Sequence, residues 1–572
     1  MAISGARREA VMPTLPTTDT LQRLLDRLGY SADAGWVSAS NFDTVITHRF
    51  AMQQAEQEMS VVGAFCLKRR TGQSDIIATP LVYVAQTSNV GAAQEIHRRV
   101  WSQGLAPFLL VATPDGLTIC PGFAYSQENW KQLVHWSSWS TIENISQDGV
   151  EPTALLDPML WDLRAIRLRT SLFWRDHTID VAGRVDQRLL ANLDALSDVL
   201  IRGAGVSRKL TPAAANGLIG RFLYVYFLAD RGIIDQKWAT SRKHTIQLGE
   251  QNVDWPASAT WSFFDDLDSI FNGSIFPLGR KERAGIDKTH INLVRRVMKH
   301  GAQPDRSGAI QLSFLDFYFG ALRTETLSSV YEQFLENIRT GERRRVGAFY
   351  TPPFLVDFML DRIDEERPLQ EGVTVLDPAA RSGVFLVGAY RRIIERARAA
   401  QPTQSMNLEK LRGMLSRNIF GIERNLDACH VAAFSLYLTM LDYADPRDLT
   451  RVAAGKSAEK LFPELIDKNL FPTDFFADRS EFKELPDQVE CIVGNPPWQT
   501  LDILVSDHAD AWRLEHHANA RSGRTKQLSC SLGKHCVSIW SRAAFSASSC
   551  QPSHLLIQPP GTSGVRLRAN SQ

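Results

Sequence analysis

The sequence has no apolar run of the roughly 18 residues that a helix needs to cross a bilayer. It also does not open on a charged, apolar, small-residue signal. These two absences lead to the expectation of a cytoplasmic protein with no membrane partner. Its seven cysteines, an odd number without regular spacing, give no disulfide framework and fit reduced thiols. Cys530, His535 and Cys536 lack a zinc spacing, so no metal site is expected. Neither sign of charge is in excess: 64 Lys and Arg stand against 63 Asp and Glu. A global basic field is thereby excluded, and contact with nucleic acid would fall to local clusters such as Arg343-Arg344-Arg345, a run that equally suits a solvated loop. Residues 1–180 contain no Glu-x-Lys, the pattern that a magnesium-dependent nuclease site would need after an upstream acid. Glu481-Phe482-Lys483, with Asp474 before it, lies far downstream and reads as coincidence, so no nuclease activity is expected. Finally, no Asp or Glu follows Glu515, and hydrophobic periodicity stops there while Ser, Cys and Arg become frequent.

What is present suffices for large folded units: 44% apolar residues over 572 positions predict three or four domains. The most informative feature is Asn495-Pro496-Pro497-Trp498, at the end of the apolar run Val489 to Gly494. A buried strand that stops at an amide, two rigid prolines and an aromatic plane makes a socket for a flat substrate bearing an amino nitrogen. An exocyclic amine such as adenine N6 is a poor nucleophile, because its lone pair is delocalised into the ring. Acceptors on the Asn495 side chain and the Pro496 carbonyl can hold its N–H bonds and turn the lone pair towards a methyl donor. Proline fixes φ at about −65° and donates no hydrogen bond, which keeps those acceptors rigid. Trp498 offers the stacking face needed by enzymes that flip a base out of duplex DNA. A proline-terminated strand with an Asn turn and a core Trp is the plainer reading of the same residues.

Upstream, Val373-Thr-Val-Leu376 ends at Asp377-Pro378, and apolar residues recur at helical spacing from Gly383 to Arg398. This predicts strand, tight loop and helix, the unit at which doubly wound folds bind nucleotides. A second unit follows, with Ile419-Phe-Gly-Ile422 as strand, Glu423 as its terminal acid and Asn425 to Leu441 as helix. A carboxylate in that place suits ribose hydroxyls, and a solvated acid is the bland alternative. Asp474, within Thr473-Asp474-Phe475-Phe476, is either a binding residue or an ordinary turn aspartate. In Tyr350-Thr351-Pro352-Pro353, Thr351 can cap a helix that begins near Phe354.

Taken in order, Gly347 to Pro353, Val373 to Phe385, Gly421 to Glu423, Thr473 to Phe476 and Asn495 to Trp498 resemble the motifs of N6-adenine DNA methyltransferases of restriction–modification systems. The resemblance is to the type IIG and type I modification-subunit kinds, with cofactor motifs ahead of the catalytic one, the γ order. It implies an α/β fold, with a Rossmann-like S-adenosylmethionine-dependent methyltransferase domain preceded by a mainly helical domain and an N-terminal mixed α/β domain. It also implies S-adenosylmethionine as cofactor, held by Tyr350, Thr351, Pro352, Asp377, Ala379, Gly383, Phe385, Glu423, Asp474 and Phe475. In such enzymes the Asp377 loop wraps the methionine part, with that acid near its ammonium. Gly383 would allow close backbone approach and Phe385 would pack beneath the loop. Glu423 would take the ribose hydroxyls, Asp474 the cofactor's adenine amine beside Phe475 or Phe476, and Thr351 the carboxylate. Catalysis would rest on Asn495, Pro496, Pro497 and Trp498. One departure stands out: where the family usually reads Asp-Pro-Ala-Cys-Gly-Ser-Gly, this chain has Asp377-Pro-Ala-Ala380-Arg381-Ser382-Gly383. Arg381 could obstruct the cofactor, or simply point to solvent if the position does not need φ > 0, and tolerance is expected.

The domain reading is 1–180 mixed α/β, either degenerate nuclease-like or DNA-contacting, 185–345 helical, 346–515 catalytic and incomplete, and 516–572 an aberrant, disordered tail. Within the first, a helix is expected over Ala92–Trp101 and a hairpin over 107–120 around Pro114-Asp-Gly116. In the second, Leu189, Leu193, Leu196 and Leu200 form one helical stripe, and Thr211, Pro212 and Gly232 mark cap, first turn and end of the next helix. The tail is expected to result from a frameshift near residues 518–530, with a natural disordered tail as the competing reading. Three functions follow: site-specific adenine-N6 methylation of double-stranded DNA, with room for a specificity or restriction subunit; an inactive remnant that still binds cofactor; and methylation of a protein glutamine amide.

Overall fold

The computed structural model describes residues between 18 and 495, with breaks of which 140–157, 301–316, 335–350 and 449–460 are the longest. Expectations concerning Tyr350, Pro352, Pro496, Pro497, Trp498, Arg343 to Arg345 and the 516–572 tail lie outside the described residues.

The first part is built on a six-stranded sheet with the strands in sequence order: β1 (Trp36–Ser38), β2 (Val61–Arg70), β3 (Ile76–Gln86), β4 (Phe108–Thr113), β5 (Gly116–Pro121) and β6 (His135–Ser138). All neighbours are antiparallel except β3 and β4. Helices α1 (Thr18–Leu28), α2 (Arg49–Met59) and α3 (Val90–Gln103) accompany it. The parallel pair requires a crossover, and α3 supplies it. The helix is started by the Asn89 side chain, which accepts from the Ala92 amide, and stopped at Gly104 with φ +64. The strands carry apolar residues on both faces because both faces are covered. Val82, Val84, Leu110 and Ala112 pack with Leu24, Leu25 and Leu28 of α1. Tyr83, Ala85, Leu109 and Val111 turn to the opposite core, with Met52 of α2 and Trp101 of α3. The expected hairpin is the β4–β5 pair.

Helices α4 (Val185–Arg202), α5 (Pro212–Asp230), α6 (Ala257–Ile270) and α7 (Lys288–His300) follow. The leucine stripe of α4 is fully buried. Thr211 caps α5 by accepting from the Ala214 amide, with Pro212 in the first turn. Ala214 to Leu228 of α5 are all buried, as expected of a helix that is apolar all round and runs through a core.

The last part alternates α8 (Pro353–Glu366), β7 (Val375–Asp377), α9 (Val384–Ala400), α10 (Leu408–Asn418), β8 (Ile419–Ile422), α11 (Leu426–Tyr443), β9 (Leu470–Phe471) and β10 (Cys491–Ile492). The strands form one parallel sheet ordered β10-β7-β8-β9. The chain therefore steps outward from β7 to β9 and then returns to the other side of β7, which makes the gap between β7 and β10 a topological switch point. Crevices of this kind, outside the carboxyl ends of the strands, are where open α/β sheets bind ligands.

A seam of charged groups joins the first and last parts. Arg49 Nε lies 3.4 Å from a Glu395 carboxylate oxygen of α9, and Arg69 Nε lies 2.7 Å from Glu365 of α8. Arg392 pairs with Asp361 at 2.7 Å, and Arg391 reaches Glu325 at 2.7 Å and Asp442 at 3.0 Å. Burial alone would raise the Glu325 carboxyl, but Arg391 and Arg323 outweigh it and hold it at about 2. His48, 3.9 Å from Asp357, is pushed down to about 4, first by burial, and is neutral near pH 7.

Candidate active site

The chemistry-bearing side chains gather where the parallel strands end. Asp377 is the last residue of β7 and is 1% exposed. Its carboxylate accepts from the Ala379 amide at 3.0 Å, so the acid shapes the turn that follows it. Glu423 comes directly after β8, and its backbone amide donates to the Phe471 carbonyl of β9 at 3.0 Å. Its carboxylate accepts from the amides of Arg381 (3.1 Å) and Asn425 (2.8 Å). These bonds take two of a carboxylate's roughly four lone-pair directions and tie the β7–α9 loop to the β8–α11 loop. Asp474 follows β9, accepts from the Phe476 amide at 2.9 Å and lies 3.5 Å from Arg424. Phe475 and Phe476 meet edge to face beside it.

Asn495 hangs from β10. That strand is two residues long, yet it is firmly located. Glu490 accepts from the Thr374 amide at 2.9 Å while Thr374 Oγ1 accepts from the Glu490 amide at 3.0 Å. The Cys491 and Val493 amides then donate to the Thr374 and Leu376 carbonyls. Gly494 comes so close to β7 that an added Cβ would sit 2.4 Å from Asp377 Oδ1. The Asn495 side-chain nitrogen donates to Thr351 Oγ1 at 3.0 Å, which brings the start of α8 into the same site. Cys491 is no rival nucleophile, since burial pushes its thiol up to about 12.

The β7–α9 loop departs from expectation at one point. Gly383 has φ +79, as a loop glycine should, and the fully buried Ser382 turns its carbonyl to the Ser328 hydroxyl, 2.7 Å away. Arg381, however, also lies in the left-handed region, at φ +48. The position does impose a positive φ, so the exemption foreseen for arginine does not hold. A non-glycine residue there costs on the order of 1 kcal/mol. Phe385 is buried in the first turn of α9, at the foot of the loop.

Asp377, Ala379, Gly383, Glu423, Asp474, Phe475 and Asn495 thus occupy strand ends and the loops that leave them, while Phe385 lies in the first turn of α9 and Thr351 just ahead of α8; Tyr350, Pro352 and Pro496 to Trp498 fall outside the described residues. Sequence reasoning missed Gly494, Ser328 and Arg424. A glycine at the end of a strand run is a signal of close backbone approach and pointed to the first. No local pattern pointed to Ser328. Among the described residues no group of His, Cys, Asp and Glu could hold a metal ion, and no helix is long and apolar enough to cross a membrane.

Residues 322–523 match the family model described as N-6 DNA Methylase. That stretch belongs to the N-6 DNA methylase family. The chain is similar to the adenine-specific methyltransferase PglX of Streptomyces coelicolor, 25% identical over 344 residues that cover 52% of this chain and 27% of that protein. It is also similar to the methylase subunit of the type I restriction enzyme HindI of Haemophilus influenzae, 23% identical over 268 residues, 42% of this chain and 54% of the relative. The chain therefore spans between about a quarter and a half of the length of these relatives. Among solved structures, the type IIL restriction–modification enzyme MmeI in complex with DNA is matched over 58% of this chain and 46% of its own, with 17% identity and a TM-score of 0.32. A TM-score of that size is too low to bear on how the parts of the chain are arranged.

Proposed function

We propose that the chain is a site-specific DNA adenine-N6 methyltransferase that uses S-adenosylmethionine and serves a restriction–modification or related defence system. The observation that carries this reading is the convergence of Asp377, Glu423, Asp474, Thr351 and Asn495 at the carboxyl ends of one parallel sheet, beside its switch point. In this reading the methylase region is Rossmann-like and the protein works in the cytoplasm on double-stranded DNA, with room for a specificity or restriction subunit.

The donor set fits the cofactor. Glu423 supplies a carboxylate for ribose hydroxyls, Asp377 a buried carboxylate for an ammonium, Asp474 an acceptor for an adenine amine with Phe475 beside it, and Thr351 a hydroxyl for a carboxylate. When bound, the cofactor supplies an electrophilic methyl group on a sulfonium. Asn495 and the Pro496 carbonyl hold the target amine by its hydrogens, which favours a pyramidal nitrogen with its lone pair released from the ring. Trp498 stacks the flipped base.

The test is to express the chain in a host that lacks adenine methylation and to quantify N6-methyladenine in its DNA beside the Asn495→Ala variant. Methylation with the native chain and its loss in the variant are expected; equal levels in both would remove the mechanism. A second reading, a remnant that binds cofactor without transferring methyl groups, is favoured by Arg381, a non-glycine residue with a left-handed backbone in the cofactor loop. Calorimetric binding of S-adenosylmethionine without transfer to DNA would support it.

A further inference from the structure

We infer that Thr351 is a positioning residue for methyl transfer: its hydroxyl fixes the orientation of the Asn495 amide. The role rests on the function proposed above. Asn495 Nδ2 donates to Thr351 Oγ1 at 3.0 Å across 144 positions of sequence. The two ends of an asparagine amide are alike in shape and opposite in chemistry, one accepting and one donating two hydrogens. Only the oxygen end can hold an amine by its hydrogens. The nitrogen end would set donor against donor.

Rotation about the Cβ–Cγ bond exchanges the two ends, and little in the side chain itself resists it, since torsions of this type are broad. Thr351 supplies the resistance. It is 8% exposed, it is β-branched and hence stiff at χ1, and it stands two residues before the first residue of α8. Helix α8 is itself gripped at Asp361 by Arg392 and at Glu365 by Arg69. The hydroxyl is thus a fixed point; with its own hydrogen given to the cofactor's carboxylate, as proposed above, its oxygen is left to accept, which assigns Nδ2 to Thr351 and turns Oδ1 the other way. Asn495 is anchored on its backbone side by the Gly494 approach to Asp377, so both ends of the arrangement are held by the fold.

Thr351→Val keeps the shape and removes the acceptor, Thr351→Ser restores the hydroxyl, and Asn495→Ala removes the group to be positioned. Single-turnover transfer is followed with tritiated S-adenosylmethionine and DNA free of adenine methylation, at saturating cofactor. Thr351→Val is expected to slow transfer about tenfold, the loss of one hydrogen bond to the reacting constellation, and Thr351→Ser by less than about threefold. In the Asn495→Ala background Thr351→Val is expected to change nothing further. Protein labelled with 15N-asparagine gives a readout that needs no chemistry. The side-chain amide signal absent from Asn495→Ala belongs to Asn495, and its hydrogen exchange is expected to speed up in Thr351→Val. Full transfer by Thr351→Val, an equal fold loss in the Asn495→Ala background, or an unchanged exchange rate would each overturn the role. A native chain that transfers no methyl group at all would overturn the proposed function and this role with it, while the exchange measurement would still report whether the bond exists.

Discussion

The two sheets of the molecule are built on opposite plans. The first has strands of 10 and 11 residues at its centre, and it spends its interior polar groups on itself. Tyr83 donates to Gln103 at 3.0 Å, Thr113 to the Gly116 carbonyl at 2.9 Å, and His97 sits between Trp130 Nε1 and the Pro121 carbonyl. The parallel sheet has strands of only two to four residues, yet a polar side chain follows or closes each of them. Length of strand is therefore no guide to where chemistry lies. What separates the two is where the polar groups stand: inside the core of the first sheet, or gathered at the strand ends of the second beside its switch point.

The sharpest way to break the comparison is at Asn495. Its replacement by alanine should lower methyl transfer roughly 100- to 1,000-fold, the scale of losing one preorganised group that acts on the reacting atoms, with calorimetric cofactor affinity little changed; a comparable loss of affinity would mean that the residue serves the fold instead. Asp377→Asn should weaken S-adenosylmethionine binding about 10- to 100-fold, as expected when a charged acceptor becomes neutral. An unaltered dissociation constant in calorimetry would take Asp377 out of the site.

The first sheet should announce itself through stability rather than activity. Burial pushes both His97 and His48 down from the usual 6.5 to about 4, so each is neutral in the folded chain while the unfolded chain binds a proton below 6.5. The stability that these neutral rings contribute is complete above that value and is lost as pH falls towards 4. Denaturant midpoints recorded at intervals from pH 7 to pH 4 should fall, by on the order of 2 kcal/mol or more in all; a flat profile would contradict the burial of both rings. Gly494→Ala places a methyl group 2.4 Å from Asp377 Oδ1 and should cost about 1 to 3 kcal/mol by the same measurement. Smallest of all, Tyr83→Phe should cost about 1 kcal/mol and leave methyl transfer untouched. A drop in transfer there would show that the first sheet reaches the site after all.

Much of the parallel sheet was legible because its signals are local. An apolar run that ends in Asp, Glu or Asn states both the strand and the polar residue delivered at its end, and Ile419–Ile422 with Glu423 lies where the pattern placed it. The Asn425 to Leu441 helix was legible for the same reason, and Asn425 is its cap, accepting from the Asp427 amide. The bonds that align the site were not legible. Thr351 to Asn495 and Ser328 to Ser382 join residues that only the folded chain brings together, and neither pair leaves a trace in periodicity or spacing. The φ of Arg381 was not legible either: its residue type argues against a positive value, and the loop, closed by the Gly383 amide on the Ala380 carbonyl and by the Arg381 amide on Glu423, imposes one regardless.

The seam of charges between the first and last parts has a consequence for inheritance. A boundary sealed by apolar contact tolerates exchange, because one oily surface serves nearly as well as another. Here Arg49 faces Glu395 and Arg69 faces Glu365 and Asp361. A recombinant that brought in a foreign first domain would take Arg49 from the buried Glu395 carboxylate and leave it to the Tyr443 hydroxyl and the charges of its own part. Each such carboxylate makes the two parts harder to trade separately, so variation in this lineage should cross the seam as a linked set of residues on both sides of it.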